Sequence, residues 1–139
     1  MEEKINKNDI EYMSRFYDPK ITAYEFLKCF FAYLGLKEVR EVNRNLIDFL
    51  YKQKQISRNK YVLEEINFRN NGIKYYSDDV EDAIFNLQNG GLLGKMNPSF
   101  GRIIIEYTED EINKTLQSIS NEYTLIINDI AESYKIENS

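Results

Sequence analysis

The segment over residues 76–93 constrains the fold of this chain more than any other. Ser77 stands at its start as a helix cap, a glycine pair at 90–91 ends the helix, and a leucine pair follows at 92–93. The segment therefore predicts an amphipathic helix over residues 77–89 that leads directly into an extended stretch. Its inward face is marked by apolar residues at spacings of three and four: Val80, Ala83, Ile84 and Leu87.

A turn and a β-rich run come next. Residues 94–101 contain two glycines and Pro98, and a continuous β-branched run then occupies residues 103–105. Such a run is typical of a strand with at least one buried face. We expect residues 92–93 and 102–107 to pair as a two-stranded β wing across the turn.

Two helices are predicted near the start of the chain. Residues 8–16 place apolar side chains on one side at helical spacing. Thr22 and Glu25 then form a capping-box pattern, and Gly35 is a natural C-cap, so the strongly apolar stretch between them predicts a core helix.

The middle of the chain predicts two more helices and a turn. Apolar residues over 39–50 have the spacing of an amphipathic helix, and a shorter helix is expected over residues 59–67. Asn70-Asn71-Gly72 predicts a turn, because asparagine and glycine tolerate positive φ.

The C-terminal region predicts the longest helix. Thr108 and Glu111 form a second capping-box pattern, and apolar residues continue at near-heptad spacing as far as Tyr134. We expect one helix over residues 109–136. Its apolar positions either dock on the core of the same chain or form the seam of a homodimer: Ile112, Leu116, Ile119, Tyr123, Ile126 and Ile130.

Composition favours one domain of mainly α class. The 139 residues, 42% of them hydrophobic, suit a single core, divided into N-terminal helices (1–44), a central unit (45–108) and the C-terminal helix. Cys29 stands alone inside an apolar run, which indicates a buried small hydrophobe in a reducing compartment. No secretory signal pattern is visible, and the longest apolar stretch (26–36) is too short to span a bilayer. We therefore expect a cytoplasmic protein without a membrane partner.

The residue inventory does not favour catalysis. The chain has no histidine and one cysteine, so a zinc site of thiolate and imidazole or a Cys/His nucleophile pair cannot be built. Residues 90–95 resemble a phosphate loop only superficially, because Met96 stands where that loop requires Ser or Thr. We expect no enzymatic activity, no cofactor and no metal.

Charge is segregated along the chain, within a net charge of −5. Residues 52–75 contain six basic and two acidic side chains, whereas residues 76–139 contain four basic and twelve acidic ones. The basic group, with Tyr51 and Tyr61 interleaved, either contacts nucleic acid or is a solvated face: Lys52, Lys54, Arg58 and Lys60. The acidic group either stabilises the helix dipole or forms a face for a protein partner: Asp78, Asp79, Glu81 and Asp82.

The order of elements over residues 45–108 resembles the winged helix-turn-helix superfamily: helices over 45–55, 59–67 and 77–89, then the two expected strands. The resemblance implies that the third helix enters the DNA major groove, where Asn86 can contact a base, while Lys95 and Arg102 lie on the wing. It further implies a small bacterial or prophage transcription regulator that binds duplex DNA.

The acidic third helix departs from that pattern, since its carboxylates would approach phosphates. Together with the net charge, it favours a regulatory or interaction module that binds a protein. An acidic inhibitor or antitoxin-like protein of a mobile element is a further alternative.

Overall fold

A computed structural model of the chain describes residues 21–94 and 101–138. The described part is mainly helical with two small two-stranded antiparallel sheets, which confirms the predicted fold class. The predicted helix over residues 8–16 and the wing residue Lys95 lie outside the described residues. The helices are α1 (Ala23–Leu34), α2 (Ile47–Lys54), α3 (Lys60–Leu63), α4 (Asp78–Asn89), α5 (Glu109–Gln117) and α6 (Asn121–Glu137). The strands are β1 (Glu38–Arg40), β2 (Arg69–Asn70), β3 (Tyr75–Tyr76) and β4 (Arg102–Ile104).

Helix α1 is the centre of the core and begins and ends as predicted. The Thr22 hydroxyl accepts a hydrogen bond from the Glu25 amide at 3.0 Å, and the Glu25 carboxylate accepts one from the Thr22 amide at 2.9 Å. Gly35 closes the helix with φ of 64°, in the left-handed region that glycine favours. Because α1 is apolar on several sides, it packs against α4, α5 and α6 together.

Aromatic rings connect α1 to α2 and α6. The ring of Phe30 lies 5.7 Å from that of Phe26, 5.5 Å from that of Phe31 and 5.8 Å from that of Tyr134. Tyr134 also meets Phe49 edge to face at 5.0 Å. These contacts join three helices into one hydrophobic cluster, in which Phe26 and Phe30 are fully buried.

The segment over residues 39–50, predicted as one helix, is a strand followed by a helix. Val39 lies in β1, Glu41 turns the chain with φ of 51°, and a π-helical turn (Val42–Leu46) precedes α2. The prediction was wrong at Val39 because this residue pairs with Ile103, which is distant in sequence, and both side chains are buried. Such tertiary pairing overrides the local spacing.

The main partner of β4 is β1 and not the leucine pair. Strand β4 pairs antiparallel with β1, whereas Leu93 makes only an isolated bridge to Ile105. The Gly94 amide donates to the Ile104 carbonyl at 2.8 Å, so β4 lies between β1 and the stretch over residues 92–94. A Cβ at Gly94 would lie 3.0 Å from Ile104 Cβ, so a glycine permits this close approach. The wing expected from residues 92–93 and 102–107 is therefore shorter and includes β1.

The region between α2 and α4 contains a hairpin that the sequence analysis did not predict. The helix expected over residues 59–67 is only a 3₁₀ turn (Ser57–Asn59) followed by α3. Strands β2 and β3 then pair around the predicted turn, where Gly72 has φ of 93°. The Asn71 side-chain oxygen accepts hydrogen bonds from the amides of Ile73 and Lys74, at 2.9 and 3.0 Å, which fixes the turn.

The predicted helix over residues 109–136 is divided in two. A long C-terminal helix is confirmed as α6, but residues 109–117 form the separate helix α5. The Ser118 hydroxyl donates to the Thr115 carbonyl at 2.7 Å, and Ser120 is extended before α6 begins. Serine competes with the helical backbone for hydrogen bonds in this way, which explains the break.

Candidate interaction surfaces

Helix α4 is held by a cap and by its buried side. The hydroxyl of Ser77, which is 1% exposed, accepts a hydrogen bond from the Val80 amide at 3.2 Å. The inward side chains belong to the main hydrophobic cluster, as the spacing predicted, and α4 packs against α1. The opposite face of α4 is therefore presented to solvent on a fixed support.

The exposed face of α4 combines carboxylates with one large aromatic ring. Phe85 is 59% exposed. Glu81 and Asp82 stand one helical turn before it and Asn89 one turn after it, and all three are exposed. We call this surface the α4 face: Asp78, Glu81, Asp82, Phe85, Asn86 and Asn89. The sequence analysis singled out the three carboxylates and Asn86 of this face but missed Phe85. Phe85 could have been recognised as exposed, because it lies outside the set of apolar positions that face inward.

Asp79 differs from the other three carboxylates of the acidic group. It is half-buried, and its Oδ2 accepts a hydrogen bond from the Asn67 amide at 2.8 Å. Asp79 thus has a partner within the chain, and this hydrogen bond connects Asn67, which follows α3, to the first turn of α4. We leave it outside the α4 face for that reason.

Two members of the basic group also have partners within the chain. Lys54 Nζ donates a hydrogen bond to the Ile66 carbonyl at 2.6 Å. Burial lowers the pKa of Lys54, and nearby Glu64 and Asp79 oppose that shift. Arg58 Nη2 donates to Asp129 Oδ2 at 2.6 Å. Their charged ends are directed to different parts of the chain.

Lys52 and Lys60, the other two members of the basic group, are exposed. Lys52 lies on α2 and Lys60 begins α3.

The predicted wing residue Arg102 lies at the small sheet beside acidic and basic neighbours. Its Nη1 is 3.5 Å from Glu38 Oε2, and Glu38 Oε1 accepts a hydrogen bond from Arg40 Nε at 2.8 Å. Glu38 and Arg40 also line a cavity of about 470 Å³ between β1 and the end of α6. Glu38 at this opening is thus ion-paired with both Arg40 and Arg102.

The six residues of the predicted dimer seam have contacts within the chain. Ile130 is buried in the core, and Leu116, Ile119, Tyr123 and Ile126 are partly buried against it. Ile112 is partly buried on α5. The break between α5 and α6 also interrupts the continuous heptad spacing. The apolar side chains that α6 exposes are different ones, Leu125 (64%) and Ile136 (74%).

Cys29 is buried in α1, as its apolar surroundings predicted, and burial raises its pKa to about 12. Within residues 21–94 and 101–138, no group of three or more His, Cys, Asp or Glu side chains is arranged to hold a metal ion. Over the same ranges, no helix has both the length and the apolar character needed to cross a bilayer.

Comparison of the chain with protein-family models, with curated proteins and with solved structures gives no match.

Proposed function

We propose that this protein is a non-enzymatic regulatory or interaction module that binds a protein partner through the α4 face. The observation that carries the proposal is Phe85, a ring 59% exposed on a helix whose other side is fixed in the core. Aromatic residues with a polar rim dominate the energetics of many protein interfaces, because the rim excludes water when the ring is buried by the partner.

The rim of the α4 face defines the chemistry of the partner. Asp78, Glu81 and Asp82 are exposed, and α4 contains no basic residue. A partner surface that presents Lys or Arg around an apolar pocket complements both features. The excess of acidic residues over residues 76–139 adds a long-range attraction towards such a surface.

The order of α4, the extended stretch over residues 92–94 and β4 supports a winged-helix-type scaffold, which here also takes in β1. On such a scaffold the α4 face would lie in the major groove, with its three exposed carboxylates close to DNA phosphates. A glutamine side chain can pair with an adenine edge. Gln88 of α4, however, donates its side-chain amide to the Gly94 carbonyl at 3.2 Å. These features support a protein partner over DNA for this face. The single, buried cysteine supports a cytoplasmic setting.

Photo-crosslinking from inside the α4 face tests the proposal. The photoreactive residue p-benzoylphenylalanine is placed at Phe85 in cells that produce the chain and, in a separate variant, at Leu125. Leu125 is a matched control because it is also an exposed apolar residue, on α6. We expect one discrete crosslinked protein from position 85 that is absent from position 125.

The double variant Glu81→Lys with Asp82→Lys, combined with the crosslinker at 85, separates a specific contact from random collision. We expect it to abolish the crosslink because the partner's basic rim is then repelled. A crosslink that persists after charge reversal, or the same products from positions 85 and 125, contradicts the proposal.

A further inference from the structure

The hairpin formed by β2 and β3 has an apolar tip that the described part of the chain leaves uncovered. Ile73 is 90% exposed. Asn70 and Asn71 accept hydrogen bonds from the amides of the turn, including that of Gly72 at 2.7 Å, so the tip has a fixed shape. The hairpin therefore presents an isoleucine between polar neighbours.

Aromatic contacts hold the hairpin against α2. The rings of Tyr51 and Tyr75 stack with centroids 3.8 Å apart and an interplanar angle of 17°, and Phe68 meets the Tyr51 ring edge to face at 5.7 Å. Tyr51 therefore packs against the hairpin. One face of each stacked ring is covered by the other ring, so that face is not available to stack on a base.

Basic side chains surround this hairpin. A cavity of about 270 Å³ lies between α2 and the hairpin. Its described lining includes Lys52, Lys74 and one carboxylate, that of Asp48. Arg69 is exposed on β2. Nearby Glu64 and Glu65 oppose the lowering of the Lys54 pKa by burial. We call this surface the hairpin face: Lys52, Arg69, Asn70, Ile73 and Lys74.

We propose that the hairpin face binds duplex DNA, with Lys52, Arg69 and Lys74 contacting phosphates and Ile73 entering the minor groove. Phosphates complement the three cations. Apolar side chains flanked by Lys and Asn are a recurring means of minor-groove binding. This surface does not include the α4 face, so the proposal goes beyond the protein-binding function and stands or falls separately from it. Together the two surfaces would let the protein join DNA to a protein partner.

Fluorescence anisotropy of a labelled duplex of about 30 base pairs, titrated with the whole chain between about 20 and 200 mM salt, tests this proposal. We expect the logarithm of the binding constant to fall linearly with the logarithm of salt concentration. Lys52→Ala, Arg69→Ala and Lys74→Ala should each reduce that slope by about one. Ile73→Ala should weaken binding without changing the slope, because no charge is removed.

Lys114→Ala is the matched control, since Lys114 is an exposed lysine on α5 that forms an ion pair with Asp110 at 3.1 Å. It should leave both affinity and slope unchanged. Absence of duplex binding at about 20 mM salt, or an equal effect of Lys114→Ala, overturns the proposal. Tighter binding to a single strand of the same length, or equal binding to phosphatidylserine vesicles, overturns it as well. Circular dichroism of each variant checks that these exposed substitutions leave the fold intact.

Discussion

Replacement of Phe85 by alanine should separate stability from binding. Complete burial of a phenylalanine side chain contributes about 1.5–3 kcal/mol. Because Phe85 is 59% exposed, only about two fifths of that contribution is present in the folded chain. We therefore expect Phe85→Ala to lower the free energy of unfolding by about 1 kcal/mol or less.

Phe30→Ala provides the contrast within the same core. Phe30 is fully buried and its ring contacts those of Phe26, Phe31 and Tyr134. Its removal loses the burial free energy and leaves a cavity, so we expect a loss of about 3–5 kcal/mol. Urea unfolding followed by circular dichroism measures both variants; the chain has no tryptophan, so helical signal is the better probe.

Phe85 should contribute more to the free energy of binding than to the free energy of unfolding. If a partner buries this ring, Phe85→Ala should weaken the complex by at least about 2 kcal/mol, which is roughly 30-fold in the dissociation constant. A loss of stability as large as that of Phe30→Ala would show that Phe85 is a core residue. Unchanged stability with unchanged binding would show that it is not a contact. Either result refutes the reasoning.

Three further predictions concern stability. Ser77→Ala should destabilise the fold by about 1 kcal/mol, and Ser120→Ala should destabilise it by less. The reason is that Ser77 caps its helix with a side-chain hydrogen bond whereas Ser120 does not. Thermal unfolding of the two variants measures the difference. A double-mutant cycle on Arg58 and Asp129 should give a coupling below about 1 kcal/mol that decreases with salt, since both side chains are more than half exposed; a larger, salt-independent value would contradict this. Burial raises the pKa of Cys29 from its ordinary value of 9.0 to about 12, so stability present below pH 9 should decline as the pH rises towards 12. Urea midpoints measured across this pH range should decline less in Cys29→Ala than in the unaltered chain. An equal decline in both would contradict the raised pKa of Cys29.

The features that the sequence predicted well are those determined by neighbouring residues. The capping boxes at Thr22 and Thr108 and the cap at Ser77 are present, because each needs only residues three positions apart. The pairing of Val39 with Ile103 was missed because it depends on the fold of the whole chain. The break at residues 118–120 was missed because α5 and α6 both pack on the core, so apolar spacing continues across it.

The candidate site was predictable in part for the same reason. The exposed carboxylates of α4 follow from its amphipathic spacing. Phe85 was missed because an aromatic residue is usually assigned to the core when sequence alone is considered. The partners of Asp79, Lys54 and Arg58 come from other segments of the chain, so their local roles required the tertiary structure.

The central claim is tested most directly by measuring the dissociation constants of two charge-reversal variants for the partner that is crosslinked from position 85. One variant is Glu81→Lys with Asp82→Lys on α4. The other is Glu109→Lys with Asp110→Lys in the first turn of α5, where both carboxylates are likewise exposed and the change in net charge is the same. We expect the α4 reversal to weaken binding by at least about tenfold and the α5 reversal to leave it within about twofold. Equal losses in both variants would show that only net charge attracts the partner, and would contradict the α4 face as the contact.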